Sequence, residues 1–199
     1  MTRLARPDVR LQTSWAAAVA EWDDRHDMHG SGLWAFDAID TTQDGCRRIV
    51  DHLLAEEHLT VPDPGGDGKV PCTYFWIVDG DGADEFVGYL ALRHSLNAWL
   101  LEEGGHIGYS VRPSRRREGH ATRALLLALD HAAMLGLDRV LVTADDDNLG
   151  SQRVITGAGG VYEDTRNGKR RYWIDTAVPA GDEKNRRRLG SPTVRRGGQ

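Results

Sequence analysis

The sequence predicts an α/β fold in which strands and helices alternate and share one hydrophobic core, and three stretches carry that prediction. Between Gly105 and Gly136, His106-Ile107-Gly108-Tyr109-Ser110-Val111 alternates as a strand does. It is followed by the basic loop Arg112-Pro113-Ser114-Arg115-Arg116-Arg117-Glu118-Gly119 and then by a helical run from Ala121 to Leu135. Next, Arg139-Val140-Leu141-Val142-Thr143 reads as a buried strand, and Asn148-x-x-Ser151 opens a short helix that closes at Gly157-Ala158-Gly159-Gly160. Finally, two pairs of apolar runs flank turn signals, Asp79-Gly80-Asp81-Gly82 and Asn167-Gly168, and predict hairpins.

In chain order, Val9-Arg10-Leu11-Gln12 reads as a short first strand. From Ser14, the spacing of Trp15, Ala18, Val19 and Trp22 predicts a helix that fades in Asp23–Asp27 and is broken by Gly30-Ser31-Gly32. A second helix starts near Thr41, with Thr41-x-x-Asp44 as a capping box and Cys46, Ile49, Val50, Leu53 and Leu54 as its apolar face. Pro62–Gly68 is a loop. Thr73–Val78 and Glu85–Leu92 are strands, and His94–Gly105 is a longer connection. Val161–Glu163 and Arg171–Ile174 form the closing hairpin, and the chain beyond Ala177 has the composition of a disordered basic tail.

A chain of 199 residues with 40% hydrophobic content is enough for one core that buries about 70% of the unfolded surface. No stretch reads as a signal peptide or a membrane span, so a cytoplasmic protein with no membrane partner is expected. The net charge of −5 hides a basic tail (Lys184, Arg186, Arg187, Arg188, Arg195, Arg196), and the body is therefore more acidic than the total. An acidic body with one basic loop suits an anionic cofactor and a cationic acceptor, and argues against nucleic acid.

A helix N-terminus leaves backbone N–H groups unpaired and carries partial positive charge, so a glycine that lets an anion approach there makes a phosphate site. Gly119 opens that approach, Ala121 keeps the helix start narrow, Thr122 offers a hydroxyl, and the three consecutive arginines supply charge. The loop lacks the three glycines of a dinucleotide fingerprint and the Gly-Lys pair of a Walker loop.

Arg116-x-x-Gly119-x-Ala121, following a strand that ends Val111-Arg112-Pro113, resembles the pyrophosphate-binding signature Q/R-x-x-G-x-G/A of the GCN5-related N-acetyltransferases. The strand at Arg139, with Asn148 beyond its exit and a glycine-closed helix, is similar to the other wall of that family's coenzyme A cleft. The resemblance implies a mixed sheet flanked by helices and splayed between the strands at His106 and Arg139, with acetyl-CoA as co-substrate and no metal. It implies a single N-acetyltransferase domain over 1–177, with acceptor-side helices in 9–70, sheet and cofactor core in 71–177, and the tail at 178–199. Cofactor contacts are expected from Val111, Arg116, Arg117, Glu118, Gly119, His120, Ala121, Thr122, Asn148 and Ser151. Homodimers are common among similar enzymes.

Acetyl transfer to an amine needs a proton acceptor, an oxyanion site and a proton for the leaving thiolate. The family places its base on the strand before the loop, where this chain has His106, with Glu102 and Glu103 as rivals. Many members carry a Tyr where this chain has Ile155, which leaves Tyr109, Tyr162 or water as proton donor, or unaided departure. His94 either lines an acceptor pocket or ends a strand. Cys46 and Cys72 have no evident base, and His26-x-x-His29 has no third ligand and reads as solvated. Trp34 and Trp99 read as loop packing, with an aromatic acceptor wall as the other reading. The expected activity is N-acetylation of a small-molecule amine by direct attack. A non-catalytic acyl-CoA sensor of the same fold is the alternative, and a nucleic-acid contact through the arginines ranks behind both.

Overall fold

The computed structural model describes residues 1–60, 68–80 and 84–176. The strands are β1 (Arg3–Ala5), β2 (Cys72–Asp79), β3 (Glu85–Arg93), β4 (Ile107–Val111), β5 (Arg139–Asp145), β6 (Val161–Arg166) and β7 (Lys169–Asp175). They form one sheet in the order β1-β2-β3-β4-β5-β7-β6. Every neighbouring pair is antiparallel except β4 and β5, which run parallel and are in register at one position, Ile107 opposite Val142.

Helices cover both faces because the strands alternate. On β2, Phe75 and Ile77 point to the side packed by α3 (His120–Met134) and α4 (Leu149–Gly157), where Ala124, Leu125, Ala128 and Ile155 are buried. Trp76 and Val78 point the other way, to α1 (Gln12–Val19) and α2 (Gln43–Ala55), where Trp15, Ile49 and Leu53 are buried. In that second core Trp15 stacks on Trp76 with centroids 5.9 Å apart, and its Nε1 donates to Tyr89 Oη at 2.8 Å. The helix stops at Val19, before the expected Trp22, but Trp22 is still buried in the same core from the turn that follows.

The N-terminal segment departs from the expected order. Val9–Leu11 is a 3-10 turn rather than a strand, because the Asp8 carboxylate accepts the Arg10 backbone N–H at 2.9 Å and closes the chain into a turn. The first strand is instead Arg3–Ala5, paired with Trp76–Val78. The cap of α2 is Thr42 rather than Thr41: Thr42 Oγ1 accepts the Gly45 N–H at 3.1 Å, and Asp44 pairs with Arg47. The connection 94–105 contains a π-turn at Leu100–Gly104. Asn167 and Gly168 take φ of 48° and 75°, the doubly left-handed turn their sequence predicts. The expected loop through Pro62, the tight reversal at Asp81-Gly82 and the basic tail lie outside the described residues.

One contact fixes the α1–α2 connection on the sheet. Gly30, at φ 78°, lies so close to β4 that a Cβ there would stand 2.2 Å from the Gly108 carbonyl oxygen. Its missing side chain is what lets the segment around Met28–Ser31 seat beside the parting strands. Gly30→Ala is expected to destabilise the fold by about 1–3 kcal/mol through steric conflict and left-handed strain. Urea denaturation checks this, and an unchanged midpoint would show that the seat is not tight.

Candidate functional site

The parallel pairing of β4 and β5 is the origin of the site. The His106 N–H donates to the Leu141 carbonyl at 2.7 Å and Ile107 faces Val142, after which the strands separate. Arg93 N–H donates to the His106 carbonyl and Arg112 N–H to the Val87 carbonyl, so from the His106 carbonyl onward the even-numbered residues turn their backbone groups toward β3. Tyr109 and Val111 therefore turn theirs into the gap. The gap is a cleft of about 760 Å³ lined from β4, the arginine loop, the first turn of α3, the end of β5, the first turns of α4, and Asp27 and His29 of the α1–α2 connection.

At the loop the chain prepares an anion site. Gly119 is the N-cap of α3, at φ 86°, and no side chain caps the helix. Its first N–H groups are thus left for a ligand. His120, Ala121 and Thr122 line the cleft, as do Val111, Arg116, Arg117 and Gly119. Arg116 is exposed, with Nε donating to the Val111 carbonyl at 3.1 Å. Glu118 departs from the expected set, since its carboxylate turns away to Arg115 and His120.

Arg115 serves the loop itself, through ion pairs with Asp79, Glu85 and Glu118. Arg112, buried, pairs with Glu21 and Glu85, and Glu21 also accepts the Ser114 N–H at 3.0 Å. The Arg112 guanidinium holds the Glu21 carboxyl far below its ordinary value, at about 2. The His120 ring links the helix start to the N-terminal segment through Thr2 Oγ1 at 2.9 Å.

On the other wall, Asn148 and Ser151 both line the cleft. The Asn148 side chain caps α4 by accepting the Ser151 N–H at 3.0 Å. Across the gap, Tyr109 Oη lies 2.7 Å from Ser151 Oγ. Burial raises the Tyr109 phenol to about 12 against the effect of the Ser151 bond, so it stays protonated at neutral pH. Ile155 is fully buried in the core, and Tyr162 is on the outer hairpin with its hydroxyl on Thr165.

The proton-accepting residues expected from sequence are not brought to the cleft. His106 is buried; its Nδ1 accepts the Leu141 N–H at 2.9 Å, and its ring packs edge-on against Trp173. Burial and then Arg93 lower its imidazole to about 4. Glu103 is engaged by the outer hairpin, accepting from Asn167 Nδ2 at 3.0 Å, and Glu102 pairs with Arg166. Neither glutamate lines the cleft. His94 is tied to Thr73 Oγ1 at 2.8 Å, Trp34 packs with Arg25 and His26, and Trp99 packs by Gly104. Burial pushes the thiols of Cys46 and Cys72 up to about 11 and about 12, so neither is a ready nucleophile.

Residues outside the sequence motifs line the cleft as well: Asp27, Ser110, Asp145, Asp147 and Gly150, together with His29, which the sequence presents as half of a solvated His26-x-x-His29 pair. The hydroxyl of Ser110 is buried and has no hydrogen-bond partner. Among the described residues no group of histidine, cysteine or acidic side chains could hold a metal ion, and no helix is long and apolar enough to cross a membrane.

The sequence matches the acetyltransferase (GNAT) domain family over residues 9–161. No curated protein matches it. Among solved structures, RimJ of Mycobacterium smegmatis in complex with CoA-disulfide aligns with a TM-score of 0.60 and 23% identity, over 87% of this chain and 81% of its own. RimL, a ribosomal L7/L12 alpha-N-protein acetyltransferase in complex with coenzyme A, aligns at 0.59 and 15%, over 87% and 93%. The microcin C7 self-immunity acetyltransferase MccE, in complex with acetyl-CoA and AMP, aligns at 0.56 and 13%, over 87% and 92%. At these identities the likeness establishes a shared fold.

The Glu21–Arg112 pair ties the turn after α1 to the arginine loop, which sets an expectation for acid. Because folding depresses the Glu21 carboxyl from 4.5 to about 2, its stabilisation is complete above pH 4.5 and is lost as pH falls toward 2. Glu21→Gln should lower stability at pH 7 and flatten the acid-unfolding curve between pH 4.5 and 2, as followed by circular dichroism. Parallel curves for the two proteins would contradict this.

Proposed function

Because the chain belongs to the GNAT acetyltransferase family, we propose that it is an acetyl-CoA-dependent N-acetyltransferase acting on a primary amine of a small molecule by direct attack. The observation that carries this reading is one continuous cleft. It joins an uncapped, glycine-opened helix start with two exposed arginines to a tyrosine–serine hydroxyl pair on the opposite walls. The first part suits a diphosphate and the second suits proton transfer at a departing thiolate.

The amide N–H groups opening α3 receive the diphosphate, with Arg116 and Arg117 adding charge. The backbone groups of Tyr109 and Val111 that face the gap meet the pantetheine chain as an added strand would, and a backbone N–H there stabilises the oxyanion. The Tyr109–Ser151 pair holds the proton that the thiolate takes up, which answers the missing tyrosine at Ile155. His106 and Glu103 are withdrawn as bases, since each is committed to a structural contact away from the cleft. No metal enters the proposal.

The acidic Asp27, Asp145 and Asp147 along the same cleft support a cationic acceptor over an anionic one. The neighbouring structures include an alpha-N-protein acetyltransferase and a microcin C7 self-immunity acetyltransferase, so the acceptor screen should contain peptides as well as polyamines, amino acids and aminoglycosides. Thiol release from acetyl-CoA with at least one such amine is the expected result. Tight coenzyme A binding with no transfer to any amine would favour the sensor reading.

Two variants localise the chemistry. Nothing lies within 4 Å of a Cβ at Gly119, so Gly119→Leu meets no clash and should cost about 1 kcal/mol of left-handed strain while weakening coenzyme A binding at least ~10-fold by filling the approach to the helix start. Calorimetric titration checks this, and unchanged affinity would displace the diphosphate from this loop. Tyr109→Phe combined with Ser151→Ala should lower kcat by about 10²-fold with little change in coenzyme A affinity. An unaffected kcat would mean that the thiolate leaves without help from either hydroxyl.

A further inference from the structure

The cleft has a second face that the cofactor does not account for. Along β4 the side chains alternate: Tyr109 packs toward the α3–α4 core and Ser151, while Gly108 and Ser110 point toward the opposite layer. The Gly30 backbone lies directly against Gly108, so the segment carrying Asp27 and His29 covers the same face of the strand as Ser110. His29 is exposed at the cleft, whereas Ser110, also in the cleft wall, is more than nine-tenths buried and its hydroxyl has no partner. An orphaned hydroxyl in a cleft wall is paired once a ligand supplies the partner.

The charges around His29 come from four elements. Asp27 lies on its own segment, Asp145 on β5, Lys169 on β7 and Arg93 on β3. Lys169 and Asp145 are ion-paired with each other. Burial, then Lys169, lower the basicity of the imidazole below its ordinary value, against the pull of Asp145 and Asp27. That shift favours the neutral ring, the form able to take a proton.

Resting on the acetyltransferase reading above, we propose that the face of β4 beneath residues 27–30 is the acceptor subsite, with His29 as the catalytic base and Ser110 Oγ orienting the amine. The acceptor enters as an ammonium and gives one proton to the His29 ring, which passes it to solvent. The freed lone pair forms the C–N bond with the thioester carbonyl carbon, and the C–S bond breaks with its electron pair on sulfur. The nitrogen's second proton is lost to solvent as the amide forms, and solvent returns one to the Tyr109–Ser151 pair, which has given its own to the sulfur. The net products are amide, free thiol and one proton released to solvent. Asp27 and Asp145 favour the cationic forms that this cycle visits, the arriving ammonium and the transient imidazolium.

The test uses the full chain with an amine found active in the acceptor screen. Wild-type kcat/KM should rise with pH through a limb below about 6.5, the ordinary imidazole value. His29→Gln should lower kcat/KM roughly 10²-fold and abolish that limb. Added imidazole should restore part of the rate of His29→Ala. Ser110→Ala should raise KM for the amine several-fold while leaving the coenzyme A dissociation constant within about twofold. A His29→Gln enzyme with wild-type rate and an intact acid limb would overturn the assignment while the acetyltransferase reading stands. Loss of coenzyme A affinity in that variant would also overturn it, since the residue would then be supporting the cleft. A wild-type chain that neither binds coenzyme A nor transfers to any amine would remove the underlying reading itself.

Discussion

The parting of β4 from β5 after a single paired position is the constraint on which the rest of this molecule depends. A parallel pair in the middle of a sheet ordinarily runs on for several residues, each satisfying backbone groups on its neighbour. Here the run stops at Ile107 and Val142, and the backbone of Tyr109 and Val111 is turned to the gap, where the Val111 carbonyl takes up Arg116 Nε. What keeps the strands from closing is on either side of them. The loop and α3 leave β4 in one direction and α4 leaves β5 in the other, with the Tyr109–Ser151 contact spanning the gap near its base. His106 belongs to this construction: its backbone N–H and its ring nitrogen both pair with Leu141, so it is the last stitch before the opening.

The arginines around the loop divide by engagement. Arg112 and Arg115 are shielded and surrounded by Glu21, Asp79, Glu85 and Glu118, and they hold the loop to the turn after α1 and to the β2–β3 end of the sheet. Arg116 and Arg117 remain exposed at the cleft. A loop with only the exposed pair would have charge but no fixed position, and the desolvated pairs supply that position at little gain in net stability. The His120 ring, linked to Thr2 and Glu118, adds the N-terminal segment to the same framework.

How much of this could be read from the sequence follows from how local each feature is. The strand–loop–helix around Gly119, the capped helix at Asn148 and the Asn167-Gly168 turn are encoded within a few residues, and all three stand where their spacing puts them. Val9–Leu11 has a strand's composition, but Asp8 outcompetes pairing with a local hydrogen bond. The misplaced base has a different cause. His106 occupies the expected strand position, yet whether a side chain there meets a ligand or a backbone group depends on Leu141, 35 residues away. Glu103 is likewise captured by Asn167, 64 residues on. His29 is the complementary case: within its own segment His26-x-x-His29 reads as solvated, and the close approach of Gly30 to Gly108 is what carries it to the cleft.

Arg117 adopts a left-handed φ of 67°, a conformation that glycine accepts freely and other residues reach at a cost of about 1 kcal/mol or more. A cation therefore occupies a place where the backbone alone would be more comfortable with no side chain at all. Thermal robustness and electrostatic reach are in direct competition at this one residue, so a variant library sorted only for heat resistance would tend to discard the charge. Screens that aim to harden this chain would need to hold position 117 fixed or read out ligand capture alongside melting.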